Sequence, residues 1–224
     1  MRQHKAQKVI VFVLLLLVSL PYPSRAGILS DQVRQTADKV LLILQDPRLK
    51  APDNKKERRN QLRQVISARF DFSEMAKRSL GQYWQQRSAE EQRQFVQLFT
   101  DLLERSYADQ IESFNGEKIL YGRETQDKDN AEVDTRVVTS KGEEFSVNYK
   151  LQAADREWKV YDVVIENISL VNNYRSQFNR VLANSSFDDF LRKLREKNFD
   201  APGKDRQATN AAKSWESIIE ILWR

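Results

Sequence analysis

Hydrophobic and polar positions change rhythm within residues 158–178, and the predicted architecture follows from that change. Tyr161, Val163 and Ile165 alternate with Trp158, Val160 and Val164. This predicts a strand that is apolar on both faces and therefore covered on both sides. Further on, Leu170, Val171, Tyr174, Phe178, Val181 and Leu182 recur at three- and four-residue steps, the signature of a helix. Asn167-Ile168-Ser169 joins the two halves. Ser169 is placed to cap the helix, and Asn167 tolerates a left-handed backbone.

The upstream chain reads as helices. Residues 27–45 carry the stripe Val33, Ala37, Val40, Leu41 and Leu44, with Ser30 or Asp31 as the starting cap. Pro47 and Pro52 bracket a short connection, and residues 54–67 form a second helix along Leu62, Val65 and Ile66. Its cations Lys55, Lys56, Arg58 and Arg59, with Glu57 among them, read as a solvated face. A short helix ends at Leu80, where Gly81 suits a left-handed C-cap. Ser88-Ala89-Glu90-Glu91 is a capping box opening the longest helix, residues 88–114. That helix bears two adjacent stripes: Phe95, Leu98, Phe99 and Leu102, then Val96, Leu103, Tyr107 and Ile111. Two stripes exceed what one packing surface requires. Either the helix is buried on two sides or one stripe lines a cavity.

Between residues 117 and 167 the period falls to two, giving strands at 118–124, 131–139, 144–152 and 157–166 with short polar connections. Connections this short join antiparallel neighbours. The expected fold is α+β: a four-stranded antiparallel meander sheet with helices packed on one face. Residues 186–198 form a further helix along Phe187, Phe190, Leu191 and Leu194, its Asp188 and Asp189 being ordinary first-turn acids. Residues 199–210 read as a polar linker, after which Trp215, Ile218, Ile219 and Leu222 recur at helical spacing.

Composition removes several function classes. Arg2, Lys5 and Lys8, the ten-residue apolar run 9–18, Pro21 and Pro23, and Ser24-Arg25-Ala26 predict a secretory signal cleaved after about Ala26. Ten apolar residues fall short of the roughly 20 needed to span a bilayer. Four of the 37 Lys and Arg leave with this leader, so 33 basic residues face 32 acidic ones. The sequence pI of 9.3 mainly describes the leader, and bulk charge gives nucleic-acid binding no support. The only histidine, His4, also leaves, and there is no cysteine. The remaining chain lacks the usual general base, the thiol nucleophile and the commonest transition-metal ligands. No catalytic residue, metal site or cofactor is therefore assigned.

Leu80-Gly81-x-Tyr83-Trp84, the series Phe95, Phe99, Leu103 and Tyr107, the block Trp158-Lys159-Val160-Tyr161-Asp162-Val163, Ile165-Glu166-x-Ile168-Ser169-Leu170, and Asn173-Tyr174-Arg175-x-x-Phe178 resemble the MlaC family. These are periplasmic lipid carriers, also called toluene-tolerance auxiliary proteins. The resemblance runs from about residue 28 to residue 198. Asn167 stands where the family usually carries Gly, and Asn is the residue next best suited to a positive φ. What the resemblance implies is a signal at 1–26, a carrier domain at 27–198 and an extension at 199–224 without a counterpart. It also implies a cystatin- or NTF2-like cone with an acyl-chain cavity between sheet and helices. Such a protein moves phospholipid across the periplasm, in a system of outer-membrane lipid asymmetry and solvent tolerance. Its partners would be the ring protein of an inner-membrane ABC transporter and an outer-membrane lipoprotein–porin complex.

On that footing the expected cavity wall is Phe72, Met75, Leu98, Leu102, Val147, Tyr149, Val163, Ile165, Leu170 and Tyr174. Arg175 either meets a head-group phosphate or pairs with Asp162 or Glu166 at the strand–helix corner. Two other readings compete: an NTF2-like isomerase or dehydratase, which needs an acid–base pair inside the pocket, and a non-lipid adaptor with a solid core.

Overall fold

The computed structural model describes residues 27–113, 116–139, 141–155 and 157–196. The expected signal at 1–26 and the extension at 199–224 lie outside these residues. Five helices come first: α1 (Ile28–Gln45), α2 (Pro47–Lys50), α3 (Lys55–Arg69), α4 (Phe72–Leu80) and α5 (Ala89–Glu112). The strands follow as β1 (Lys118–Asp127), β2 (Asn130–Val138), β3 (Glu144–Ala154), β4 (Glu157–Ile165) and β5 (Ile168–Ser169), and after them come α6 (Leu170–Leu182) and α7 (Phe187–Arg195). The sheet is antiparallel with its strands in sequence order. It has five strands rather than four. β5 pairs only Val164 with Ser169 and Ile165 with Ile168, too short a segment for its alternation to be read.

Local chemistry sets most boundaries. Ser88 and Glu91 close the expected capping box on α5, and Ser169 accepts from Asn172 N–H at the start of α6. Glu166 and Asn167 take positive φ values of 46° and 67° at the corner. Gly81 ends α4 with φ 58° but ψ −127°, so its backbone is not left-handed helical. A Cβ there would touch Arg175, and side chains seldom adopt this conformation. The start of α1 departs from expectation. Its N-cap is Gly27 without a side-chain cap. Ser30 instead donates from both N–H and Oγ to Glu124 Oε2, each at 2.8 Å, fastening α1 to β1.

A β-bulge changes how β4 presents its side chains. Asp162 pairs with Lys150 and Val160 with Leu151, which leaves Tyr161 as the extra residue. Strict alternation separates Val160 from Val163. The bulge returns both to the cavity side of the sheet, with Ile165, and turns Tyr161 to the helical core, where Arg78 stacks on its ring at 3.9 Å.

Two apolar cores result. The larger joins α4, α5, α6 and α7 around Phe95, Phe99, Tyr174, Phe178 and Phe190, all fully buried. The smaller packs Leu29 and Val33 of α1 on Ala131, Val133, Leu151 and Val160 of the sheet. Asp162 is buried between sheet and helices, accepting from Ser169 Oγ at 2.6 Å and Val171 N–H at 3.0 Å. It secures the strand–helix corner by satisfying the first turn of α6.

Candidate functional site: an apolar cavity with a charged rim

A cavity of about 390 Å³ separates the two cores, within the range of roughly 300–1,000 Å³ usual for small-molecule sites. From the sheet it takes Ile119, Val137, Tyr149, Val160, Val163 and Ile165. From α1 it takes Val33, Ala37, Val40 and Leu41, and from α3 Leu62 and Ile66. Phe70, Phe72, Met75 and Leu170 line it where α4 and α6 begin, and Leu103, Tyr107, Ala108 and Ile111 line it from α5. The two stripes of α5 thereby part. Phe95, Phe99 and Leu102 enter the helical core, while Leu103 and Tyr107 border both that core and the cavity and Ile111 faces the cavity.

The wall is uncharged along most of its length. Burial pushes the Tyr149 phenol up to about 12 and raises that of Tyr107 well above its ordinary value, with the neighbouring Tyr174 adding to the effect. Both stay neutral. Charge collects where α3 faces α5. Arg58 Nη2 and Arg59 Nε each donate to Glu112 at 2.5 Å, Arg59 Nη2 reaches Asp109 at 2.7 Å, and Arg63 pairs with Glu104. Arg58 and Arg59 are therefore not simply solvated, as their helix pattern suggests; they bridge two helices.

Burial works against ionisation of Glu112, but the hydrogen bonds from Arg58 and then Arg59 outweigh it and hold the carboxyl below its ordinary 4.5. Its stabilising contribution is thus complete above pH 4.5 and is lost as pH falls through the lower folded value. Glu112→Gln is expected to lower the melting midpoint at pH 7 by about 3–6 °C, the effect of one charge-assisted contact in a chain of this size. In melts at successively lower pH, the gap between variant and parent should close.

Of the positions the sequence points to, Phe72, Met75, Tyr149, Val163, Ile165 and Leu170 lie on the wall. Four others lie elsewhere. Leu102 is 1% exposed inside the helical core, with Leu98 packed at its margin, because the opposite stripe of α5 faces the cavity. Tyr174 is fully buried, with its ring 5.5 Å from Phe99 and 5.6 Å from Phe178. Val147 shares the inward face of β3 with Tyr149, but it is buried and outside the lining. Arg175 is not on the wall either. Its Nε donates to the Arg78 carbonyl at 2.7 Å and its side chain packs on Gly81, so it braces α6 against the end of α4. It does not serve the corner, where Asp162 holds Ser169 and Val171 and Glu166 holds Ser146. Pattern reading passed over Ile119, Val137 and Val160 of the sheet, Leu103, Tyr107 and Ile111 of α5, and the residues of α1 and α3. Their stripes were legible, but nothing in a stripe says that it faces a hollow.

Among the described residues no cluster of metal-ligating side chains occurs, and no helix is long and apolar enough to cross a membrane. A family model described as MlaC protein matches residues 34–196. The chain is 24% identical, over 169 residues, to the intermembrane phospholipid transport system binding protein MlaC of Haemophilus influenzae. That match covers 73% of this chain and 79% of the relative. It is also similar to the solved structure of a phospholipid-binding protein from Ralstonia solanacearum in complex with a phospholipid. The TM-score is 0.67 at 28% identity, covering 75% of this chain and 95% of the other.

Proposed function

The chain belongs to the MlaC family, and on that premise we propose that it carries phospholipid, with the acyl chains held in the cavity between α1, α3, α5 and the sheet. The observation that supports this most is the cavity itself, mostly apolar, with paired charges where α3 faces α5 and Arg69 held by Gln32 and the Trp158 carbonyl. The physical task is steep. A diacyl lipid has about 30 methylenes, each costing roughly 0.8 kcal/mol in water, so a free monomer faces on the order of 20 kcal/mol. A hydrocarbon-like pocket removes that cost, because moving a chain from bilayer to pocket is nearly neutral. The same near-neutrality permits release.

Phe72, Met75, Tyr149, Val163, Ile165 and Leu170 are the contacts we assign to the acyl chains, with Val40, Leu41, Leu103, Tyr107 and Ile111 joining them from the helices. The leader at 1–26 fits export to the periplasm. There the carrier would exchange lipid with an inner-membrane ABC transporter through its ring protein and with an outer-membrane lipoprotein–porin complex. Acid–base chemistry is disfavoured by the pairing of the wall carboxylates Glu104 and Glu112 with arginines and by the neutrality of Tyr107 and Tyr149.

The test is transfer of labelled phospholipid between two vesicle populations kept apart by a dialysis membrane that passes the protein. Transfer proportional to protein concentration is expected. No transfer above the protein-free rate would overturn the carrier reading.

A further inference from the structure

The geometry points to a second compartment, beyond the charged end of the cavity, as a seat for a phosphate group, which on the carrier reading is the phosphate of the lipid head group. A cavity of about 410 Å³ adjoins the apolar one and shares Leu41 and Glu112 with it. The two are successive along the same helices. α1 lines the first with Val33 to Leu41 and the second with Leu41, Leu44 and Gln45. α5 lines the first from Thr100 to Glu112, and Ser113 beyond its end lines the second. An elongated ligand lying along α5 passes from one into the other.

The chemistry changes at that border. The second compartment adds Lys50 and Arg58 to its lining. Glu112 already accepts from Arg58 and Arg59, and Arg59 also holds Asp109. Lys50 makes no ion pair among the described residues. Three cations therefore meet two carboxylates, which leaves one positive charge in surplus. Arg58 is also incompletely satisfied. Its Nη2 serves Glu112 and its Nη1 the Leu49 carbonyl at 3.1 Å, while its Nε–H is buried without a partner. A buried guanidinium donor without an acceptor is uncommon. A phosphate group seated beside Lys50 and the Arg58 guanidinium neutralises the surplus charge. A diacyl phospholipid, apolar at one end and anionic at the other, matches the order of the two compartments.

The experiment equilibrates the protein with vesicles containing equal amounts of dioleoylphosphatidylglycerol and dioleoylglycerol, re-isolates it, and measures both bound lipids by mass spectrometry. The tails are the same, so the ratio reads the head group. The parent protein should hold phosphatidylglycerol in about ten-fold excess or more, as one charge-assisted contact implies. Arg58→Gln and Lys50→Gln should each bring that ratio toward one. Lys50→Gln removes no ion pair, so it stands as the test if Arg58→Gln fails to melt cooperatively. A parent ratio near one, or variants that keep the parent ratio, overturns the proposal. So does a rise in melting temperature with inorganic phosphate alone that Arg58→Gln abolishes while the lipid ratio stays unchanged, since that marks a site for free phosphate. A parent that takes up neither lipid refutes the carrier reading itself, a result distinct from all of these.

Discussion

Val163→Trp should strip the protein of phospholipid and leave it folded. Val163 lies on the cavity wall opposite Tyr149 in the register of β3 and β4. Its side chain borders the cavity while packing on the smaller core, so an indole there takes up part of the hollow. Trp also suits a strand, and an aromatic pair across it is favourable. The loss falls on the ligand. Excluding about four methylenes forfeits roughly 3 kcal/mol at 0.8 kcal/mol each, which is more than a hundred-fold in affinity. Lipid extracted per mole of purified protein measures the effect, and a melt that stays cooperative separates it from unfolding. Undiminished lipid would mean that this part of the wall does not touch the cargo.

Phe178→Ala should do the reverse, taking stability while sparing the wall. Phe178 is fully buried on α6. Its ring lies 5.8 Å from Phe95, 6.0 Å from Phe99 and 5.1 Å from Phe190, each edge to face, and it belongs to none of the cavity lining. Truncating it leaves a void in the cluster that joins α5, α6 and α7, at a cost of about 3–5 kcal/mol. In a chain of this size the melting midpoint should fall by roughly 10 °C. At temperatures where the variant remains folded, it should still carry lipid. A midpoint within a degree or two of the parent would show that the cluster re-packs around the gap.

The contrast between these two positions explains what could be read in the sequence. Helical periodicity groups residues on a face, and for α5 it separated Phe95, Phe99 and Leu102 from Leu103, Tyr107 and Ile111. It does not say what each face meets, because a core and an acyl-chain wall select the same side chains. Hence Leu102 and Tyr174, on helices near the recognisable motifs, were expected at the wall and lie in the core. The wall residues of α1 and α3 were equally visible as stripes, but they sit far from those motifs. In the sheet, alternation placed Tyr149, Val163 and Ile165, while the bulge at Tyr161 moved Val160 to their side. A bulge inserts one residue without altering composition, so period-two reading passes over it. Arg58 and Arg59 show the same limit for charge. Their spacing describes a polar face, and only the approach of α5 turns that face into a bridge to Glu112.

The hollow between the two cores is expected to hold hydrocarbon tails. Native mass spectrometry of protein purified from the periplasm of a producing bacterium, followed by extraction and identification of what it carries, tests it most directly. The parent should carry one phospholipid per chain, and Val163→Trp should have lost it. A parent protein that flies at its bare polypeptide mass and yields no acyl lipid on extraction would contradict it.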